Sequence, residues 1–388
     1  MRFPEFSGEW DSERLENLTV SIGDGLHSTP VYCEQGDYCF INGNNIIDGK
    51  VSINEKTLRV TKEEAYKYNA ALLKVDTILM SINGTIGNVA LYNGENIMLG
   101  KSACYINPSS RIVREYLFHI LSSPRIQAYF QGEVTGTTIK NLSLRTIRGS
   151  KILLPSNEEQ KKIARLFSLV DERIATQNKI IEKLQSLIKG LSQQLLSSEN
   201  DWILYRLDDL AQIKSGYSGT QVSYQTPYKV SRIETISKHC IDIQRIGYVE
   251  CIPESYRLNV GNILFSNINS IQYIGNTAYL DKDYGLYHGM NLLRIIPNTT
   301  IVRPRFLHLL LCTDWAINHF QTICNKAVSQ ASINQTALGK SRFPIPPMSV
   351  QQQICSMFEL TERKLDNEQE YISCLQQQKR YLLQKMFI

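Results

Sequence analysis

The chain lacks the cysteine and histidine patterns that mark disulfide frameworks and metal sites. Its 9 cysteines are odd in number, thinly spread and without a C-x-x-C pair, and its 6 histidines do not cluster with them. We interpret the one adjacency, His239 with Cys240, as ordinary strand or loop residues. This usage argues for reduced thiols and against both a disulfide framework and a zinc site. We therefore expect no metal ion in this chain.

Long apolar runs and a strong charge of one sign are also missing. No stretch approaches the roughly 18 apolar residues of a membrane-spanning helix, and the first residues contain no apolar core of signal-peptide length. We therefore expect a cytoplasmic protein without a membrane partner. The net charge of +5 over 388 residues permits local patches that bind nucleic acid but does not require them.

Known catalytic motifs are absent as well. The Gly-Lys-Ser triplets at 100–102 and 339–341 lack the upstream glycine that a phosphate-binding loop needs. There is no G-x-S-x-G, H-E-x-x-H or dinucleotide fingerprint, and no Asn-Pro-Pro-Tyr-like element of an amino-methyltransferase. The spacing of carboxylates such as Asp24, Asp48 and Asp76 does not indicate a nuclease. We assign no catalytic residue and no cofactor to the chain.

What the sequence does contain is a repeat of its whole plan. Residues 154–167 (LPSNEEQKKIARLF) align without a gap on 345–358 (IPPMSVQQQICSMF). Upstream, 86–90 match 274–278, and Trp10 with 14–18 matches Trp202 with 206–210. The repeat is too long for a solenoid or propeller, whose units span roughly 20–50 residues. The chain therefore carries two related but diverged modules, each with room for its own core.

Each copy of this motif opens a long helix with an apolar seam. We expect Asn157 to be the N-cap of the first helix, with Gln160 completing a capping box. Apolar residues then recur in heptad spacing, which predicts pairing along a seam. The predicted packing residues are Ile163, Phe167, Val170, Ile174, Ile181, Leu184, Ile188 and Leu191 in the first helix, and Ile354, Phe358, Leu365, Ile372, Leu375 and Leu382 in the second.

The simplest partner of each long helix is the other one. At a rise of about 1.5 Å per residue, such helices would form an antiparallel coiled coil roughly 60 Å long. The alternative is that each amphipathic helix folds separately on its own module.

The region before each long helix predicts strands and one further helix. Short runs rich in Val, Ile, Tyr and Phe, bounded by Gly, Asn and Asp, are typical of strands. They lie at 38–41, 77–82, 89–92 and 104–106, then at 228–233, 262–266, 277–280 and 292–296. An amphipathic helix follows at 114–130 and at 304–320. The predicted class is α+β: two repeated globular domains joined by two long helices packing as an antiparallel coiled coil, with pseudo-twofold symmetry.

Several segments resemble the specificity subunit of type I restriction-modification systems. They are 2–18, 23–30 (GDGLHSTP), 40–45 (FINGNN) and the helix opening at 154–164. The resemblance covers the whole chain, although Val350-Gln351 replaces Glu159-Gln160 in the second copy. It implies a first target recognition domain at 1–155, a central spacer helix at 156–199, a second recognition domain at 200–346 and a C-terminal spacer helix at 347–388.

The resemblance also implies what the chain does and with whom. Each domain would read one half of a split, asymmetric site in double-stranded DNA, and the helices would set the spacing and dock two modification (methyltransferase) subunits. Restriction subunits would join the full complex. S-adenosylmethionine, ATP and Mg would belong to those partners, and this chain would not be an enzyme.

Polar loops at 81–85, 136–141, 266–270 and 328–332 provide groups that contact phosphates and base edges. Together with the resemblance, they indicate candidate DNA-binding residues: His27, Ser28, Asn42, Asn44, Asn45, Lys140 and Asn141 in the first domain, and Ser231, Arg232, Gln330, Ser332 and Asn334 in the second. Two other hypotheses remain open. The chain could be a DNA methyltransferase or nuclease with an unrecognised motif, or a coiled-coil scaffold that binds only proteins.

Overall fold

A computed structural model describes residues 1–136, 140–197, 202–237, 239–326 and 330–387. The chain divides into two compact units, Met1–Lys179 with Gln369–Ile388, and Ile180–Glu368. Each long helix therefore contributes residues to both units. The domain limits expected from the sequence stay a prediction, since they treat the helices as separate segments.

The first half contains runs of strands followed by short helices, as α+β proteins do. They are β1 Asp11–Arg14, β2 Thr19–Asp24, β3 Tyr38–Ile41, β4 Ile46–Ile47, β5 Lys50–Val51, β6 Arg59–Val60, α1 Lys62–Tyr68, β7 Ile78–Ser81, β8 Val89–Leu91, β9 Ile97–Leu99, β10 Ala103–Pro108, α2 Arg114–Leu121, α3 Pro124–Glu133, α4 Leu144–Gly149, β11 Lys151–Leu154 and α5 Asn157–Leu195.

The second half follows the same plan. Its elements are β12 Ile203–Arg206, α6 Leu207–Leu210, β13 Ala211–Ser215, β14 Gln221–Val222, β15 Tyr228–Val230, β16 Gly247–Val249, β17 Ile263–Ser266, β18 Ile268–Asn269, β19 Thr277–Tyr279, β20 Leu286–Tyr287, β21 Leu292–Pro297, α7 Pro304–Leu311, α8 Asp314–Ile323, β22 Asn325–Lys326, β23 Ala331–Ser332, α9 Gln335–Gly339, β24 Arg342–Ile345 and α10 Met348–Met386.

Sheet topology repeats between the units. The central antiparallel sheet has the order β2-β10-β7-β8 in the first unit and β13-β21-β17-β19 in the second. Each unit adds a parallel pair, β3 with β9 and β15 with β20, and an antiparallel pair, β1 with β11 and β12 with β24. The repeat in the sequence is therefore a repeat of architecture.

The central strands are buried on both faces, which explains their continuous apolar sequences. In β7, Ile78 and Met80 face the core that contains α2 and α3, whereas Leu79 faces the core that contains β3 and β9. In β17, Phe265 and Leu264 divide between two cores in the same way. The period of two residues along a strand directs alternate side chains into the two cores.

The predicted single helix after the sheet is wrong in both units, because a capping residue divides it. α2 ends at Leu121, and the Ser123 hydroxyl accepts a hydrogen bond from the Ile126 N–H at the start of α3. Pro124 then occupies the first turn, where its missing N–H is not needed. In the second unit, Thr313 caps α8 in the same way. Ser and Thr favour such caps because their oxygen satisfies an N–H that lacks a helical partner.

The start of α5 also differs from the prediction. Ser156, rather than Asn157, accepts the hydrogen bond from the Glu159 N–H, at 3.3 Å. Gln160 does not complete a capping box: its Oε1 accepts from the Val113 N–H at 2.8 Å, and its Nε2 donates to the Pro155 carbonyl at 3.0 Å. Gln351 makes the corresponding pair of bonds in the second unit, with the Arg303 N–H and the Pro346 carbonyl. This glutamine therefore joins each long helix to the loop before α2 or α7.

Within the first unit, the start of α5 packs against the end of α10. The rings of Phe167 and Phe387 lie 5.8 Å apart, Asp171 pairs with Lys379, and Arg173 lies over the Tyr371 ring at 5.5 Å. Rising numbers along α5 meet falling numbers along α10, so these segments are antiparallel. In the second unit, Ile354 and Phe358 share a core with the last turns of α5.

The predicted seam residues are all at least partly shielded from solvent. Ile163, Phe167, Ile354, Phe358 and Leu375 are buried, and Val170, Ile174, Ile181, Leu184, Ile188, Leu191, Leu365, Ile372 and Leu382 are half-buried. The half-buried positions dominate the middle of each helix, where the domain cores no longer cover it.

Candidate nucleic-acid interface

In the first unit, several loops meet at one end of the central sheet. Backbone hydrogen bonds hold them together: the Leu26 N–H donates to the Leu99 carbonyl at 2.8 Å, the Ile82 N–H to Ser102 at 2.9 Å, and the Leu142 N–H to Ile82 at 2.8 Å. These bonds continue the strand pairing beyond the ends of β2, β7 and β10. The scaffold therefore fixes the loop backbones and leaves their side chains to vary.

The close approach of two of these loops requires glycine. A Cβ atom on Gly25 would lie 2.3 Å from the Gly100 carbonyl oxygen, and one on Gly216 would lie 1.9 Å from that of Gly289. Both distances are far below van der Waals contact, so only glycine lets the backbones meet here. A glycine therefore allows the same close approach of two loop backbones in both units.

A cleft of about 340 Å³, lined by both polar and apolar side chains, opens between the joined loops of the first unit. Its lining includes Asp24, His27, Asn83, Lys101 and Asn141. The Asp24 carboxylate and the His27 Nε2 lie 2.7 Å apart, and the Asn83 amide donates to the Lys101 carbonyl at 3.1 Å. Amide, imidazole and carboxylate groups can hydrogen-bond base edges, and an exposed ammonium can pair with a phosphate. We call this set of five residues the first-unit cleft.

A buried phenol, that of Tyr105, lies on the strand next to Asp24, where Tyr105 pairs with Gly23. Burial raises the pKa of the Tyr105 hydroxyl, and the neighbouring Asp24 carboxylate raises it further. The phenol therefore stays protonated at neutral pH.

The structure brings two of the predicted residues of the first unit into the cleft. They are His27 and Asn141. Ser28, Asn44 and Lys140 are exposed on the neighbouring loops but do not line it.

Asn42 and Asn45 act inside the protein instead. The Asn45 Oδ1 accepts from the Asn42 N–H at 3.0 Å while its Nδ2 donates to the Ser52 carbonyl at 3.0 Å. The Ser102 hydroxyl donates to the Asn42 Oδ1 at 2.9 Å. Both asparagines therefore shape the loop after β3, with their side-chain groups already bonded.

The predicted residues of the second unit divide in a similar way. Ser231 is fully buried, and its hydroxyl accepts from the Gly289 N–H at 3.0 Å, so it is not available to a base in this structure. Asn334 is exposed but caps α9 by accepting from the Ala337 N–H at 2.8 Å. Ser332 is half-buried in β23, and Arg232 and Gln330 are exposed. Parts of two predicted loops, 137–139 and 328–329, lie outside the described residues.

Lys101 is a cleft residue that the sequence argument missed. The turn between β9 and β10 places it beside Asn83 of another loop. A polar turn between two apolar strands was the available signal. The partner loop could not be identified from sequence, because it lies near Lys101 only through the sheet.

We expect Lys101→Ala to weaken DNA binding to about the same extent for every sequence. An ammonium that pairs with one phosphate releases one counterion, so the slope of log affinity against log salt should become shallower by about 0.9. Titrations of a labelled duplex at several salt concentrations measure this slope. Lys56→Ala removes an equal charge from an exposed loop of the same unit and serves as the control. An unchanged slope in Lys101→Ala would show that this ammonium does not contact phosphate.

No group of three or more His, Cys, Asp or Glu side chains within the described ranges is arranged to hold a metal ion. Over the same ranges, no helix combines the length and apolar character that crossing a bilayer requires.

Comparison with known proteins identifies the family. A sequence profile for the type I restriction modification DNA specificity domain matches this chain twice, over residues 8–186 and 199–377. The chain belongs to this family. The predicted resemblance is thereby confirmed, as is the prediction of a non-catalytic DNA specificity subunit carrying an internal repeat.

Curated specificity subunits resemble this chain to different extents. The putative MjaX specificity subunit of Methanocaldococcus jannaschii is 38% identical over 193 residues, which are 48% of this chain and 45% of that protein. The aligned region thus covers less than half of the length of that relative. The MjaVIII specificity subunit of the same organism is 23% identical over 387 residues, covering 90% of this chain and 85% of its own length.

Solved structures of the family share the fold. The S subunit of a type I restriction-modification system from M. genitalium has a TM-score of 0.61 and 17% identity, with 100% of this chain and 99% of that chain covered. A chain from a second type I system has a TM-score of 0.62 and 16% identity, with 99% and 98% covered. The predicted α+β fold class of the specificity subunit is therefore confirmed.

Proposed function

We propose that each unit of this chain reads one half of a bipartite, asymmetric DNA site. The supporting observation is that the two specificity domains share their strand register but differ in the side chains at their loop junctions. Ser81 pairs with Ala103 in the first unit as Ser266 pairs with Leu292 in the second. Two residues beyond these pairs, towards the loops, Lys101 of the first unit corresponds to Met290 of the second. In the same way, Asn83 corresponds to Ile268. Two domains with the same strand register but different side chains at these positions fit two different half-sites.

The loop before α4 in the first unit is equivalent to the loop before α9 in the second. Asn83 bridges to Asn141, and Ile268 pairs with Ser332 at the corresponding place. Asn141 and Ser332 therefore occupy equivalent positions in the two units. We retain both as proposed DNA-contact residues, together with His27, Lys101 and Arg232. We also retain the exposed Ser28, Asn44, Lys140 and Gln330, and assign Asn42, Asn45, Ser231 and Asn334 to loop structure.

The remaining parts of the proposal concern partners. Two modification subunits would dock on the chain through its long helices, and restriction subunits would complete the complex on double-stranded DNA in the cytoplasm. S-adenosylmethionine, ATP and Mg would be bound by those subunits. Methylation of a base within a duplex requires that base to leave the stack, so this chain would hold the DNA while a partner performs the chemistry.

The test is to express the chain with its modification subunit and map N6-methyladenine across a genome by single-molecule sequencing. We expect a split, asymmetric motif that is lost when this chain is omitted. Asn141→Ala should alter one half of the motif and Ser332→Ala the other. An unchanged map without the chain, or methyl transfer by the purified chain alone, would contradict the proposal.

A further inference from the structure

The first-unit cleft contains a carboxylate paired with an imidazole. The Asp24 Oδ2 and the His27 Nε2 lie 2.7 Å apart, a distance typical of a charge-assisted hydrogen bond. A carboxylate only accepts hydrogen bonds, so the Nε2 of His27 carries the hydrogen. In the neutral ring the other nitrogen, Nδ1, is therefore a hydrogen-bond acceptor.

The backbone that leads to His27 is fixed by hydrogen bonds to two neighbouring strands. The Gly25 N–H donates to the Ala103 carbonyl at 3.0 Å, and the Leu26 N–H donates to the Leu99 carbonyl at 2.8 Å. His27 follows directly, and its side chain is 72% exposed although its Nε2 faces Asp24. The ring is thus held at its Nε2 edge and is accessible to a ligand elsewhere, which suits a group that reads a base.

The pair of Asp24 and His27 has a greater effect on hydrogen position than on stability. Exposed ion pairs contribute little to folding, because solvent weakens the attraction and two side chains must be held in one geometry. The bond made by one ring nitrogen does, however, determine the protonation of the other. Asp24 thereby decides whether Nδ1 of the neutral imidazole accepts or donates.

The edges of the base pairs determine what such an acceptor can read. In the major groove, the donors are the N6 amino group of adenine and the N4 amino group of cytosine. Guanine presents the acceptors N7 and O6 there, and thymine presents the acceptor O4 and a methyl group. A nitrogen that accepts therefore selects adenine or cytosine and makes no hydrogen bond to guanine or thymine.

Backbone pairing identifies the equivalent loop of the second unit. Leu26 forms an isolated parallel bridge with Gly100, and Tyr217 forms one with Gly289. Leu26 and Tyr217 are therefore equivalent positions in the two repeats.

Serines replace the pair in the second unit. Counted from the two bridges, Ser215 corresponds to Asp24 and Ser218 to His27. Both serines are exposed. A hydroxyl group can donate as well as accept, so a serine does not select an amino group in the way that a fixed acceptor does.

We propose that the Nδ1 of His27 accepts a hydrogen bond from an exocyclic amino group of the DNA, the N6 of adenine or the N4 of cytosine. Asp24 is the positioning residue that makes this nitrogen an acceptor. The inference rests on the proposed function, since it requires that the first unit reads a half-site. It makes His27 a specificity-determining residue for the first half-site only.

Base analogues without the amino group test the inference. After the motif has been mapped, each adenine of the first half-site is replaced in turn by purine and each cytosine by 2-pyrimidinone, and the affinity of the full complex is measured. We expect about a fivefold loss at the contacted base, the usual effect of one hydrogen bond. In His27→Ala the same analogue should cause no further loss, which separates this contact from weakened base pairing. A loss that is equal in both proteins overturns the inference, as does a His27-dependent loss with 7-deazaguanine, because the ring would then donate.

Asp24→Asn tests the positioning role. The asparagine amide keeps the shape of the side chain but can donate or accept, so the ring hydrogen is no longer fixed on Nε2. The loss caused by the analogue should shrink towards that in His27→Ala, while the melting temperature of the complex stays the same. Ser218→Ala, the matched control in the second unit, should leave the effect of the analogue unchanged. An undiminished loss in Asp24→Asn overturns the inference. Failure of the proposed function is distinguishable, because then no bipartite motif is obtained in the map.

Discussion

Replacing Phe167 by alanine is expected to destabilise the first unit by about 3–5 kcal/mol, the usual cost of emptying a fully buried aromatic site. Phe167 has no solvent exposure, and its ring lies 5.0 Å from that of His119 and 5.8 Å from that of Phe387. It thus joins α5, α2 and the chain end after α10 in one core. Hydrogen exchange of α2 amides measures the opening of this core.

The repeat supplies a matched partner for this substitution. Phe358 occupies the equivalent position in α10 and is 2% exposed in the core of the second unit. Phe358→Ala should accelerate exchange in α7 and leave α2 unchanged, and Phe167→Ala should do the reverse. Leu169→Ala, at a position that is 45% exposed on α5, is the control and should change neither unit. Equal acceleration in both units would contradict the idea that each repeat has its own core.

The strands were predictable because their signal is local. Tyr38–Ile41 was predicted with its observed bounds, since an aromatic and β-branched run lies between Asp37 and Asn42. The long helices were predictable for the same reason: a heptad pattern of nearly 40 residues has one simple explanation. The repeat supports the prediction of these helices a second time, because two diverged sequences keep the same heptad pattern.

The division after α2 shows where local signals compete. The apolar period continues across Ser123, but its hydroxyl can cap a new helix, and Pro124 favours that outcome. Both signals were present in the sequence. Periodicity alone could not decide between one helix and two, because the apolar residues on both sides of the break face the same core.

The candidate interface depended on contacts between distant residues. His27 and Asn141 could be proposed as polar loop residues, but their shared cleft with Lys101 results from the pairing of β2, β10 and β7. The environment of Ser231 depends on distant residues in the same way. It looked like an available hydroxyl, and only the approach of Gly289 shows that it is buried and already bonded.

Inserting one heptad into each long helix is expected to lengthen the unread gap of the DNA site by about three base pairs. Both helices pass from one unit into the other, so the insertions belong after Lys179 in α5 and after Glu368 in α10. Seven residues add about 10.5 Å of helix, and B-DNA rises about 3.4 Å per base pair. A heptad also preserves the apolar face of each helix. Methylation mapping with the modification subunit measures the new gap.

The bases of each half-site should stay the same, because the insertion leaves the loop junctions of both units unaltered. A heptad in α5 alone is the control: with unequal helices the seams no longer match, and the bipartite motif should be lost. A heptad in both helices that changed the bases read, while keeping the gap, would contradict the division of labour proposed here. Recognition would then depend on the helices, and the different side chains at Lys101 and Met290 would need another explanation.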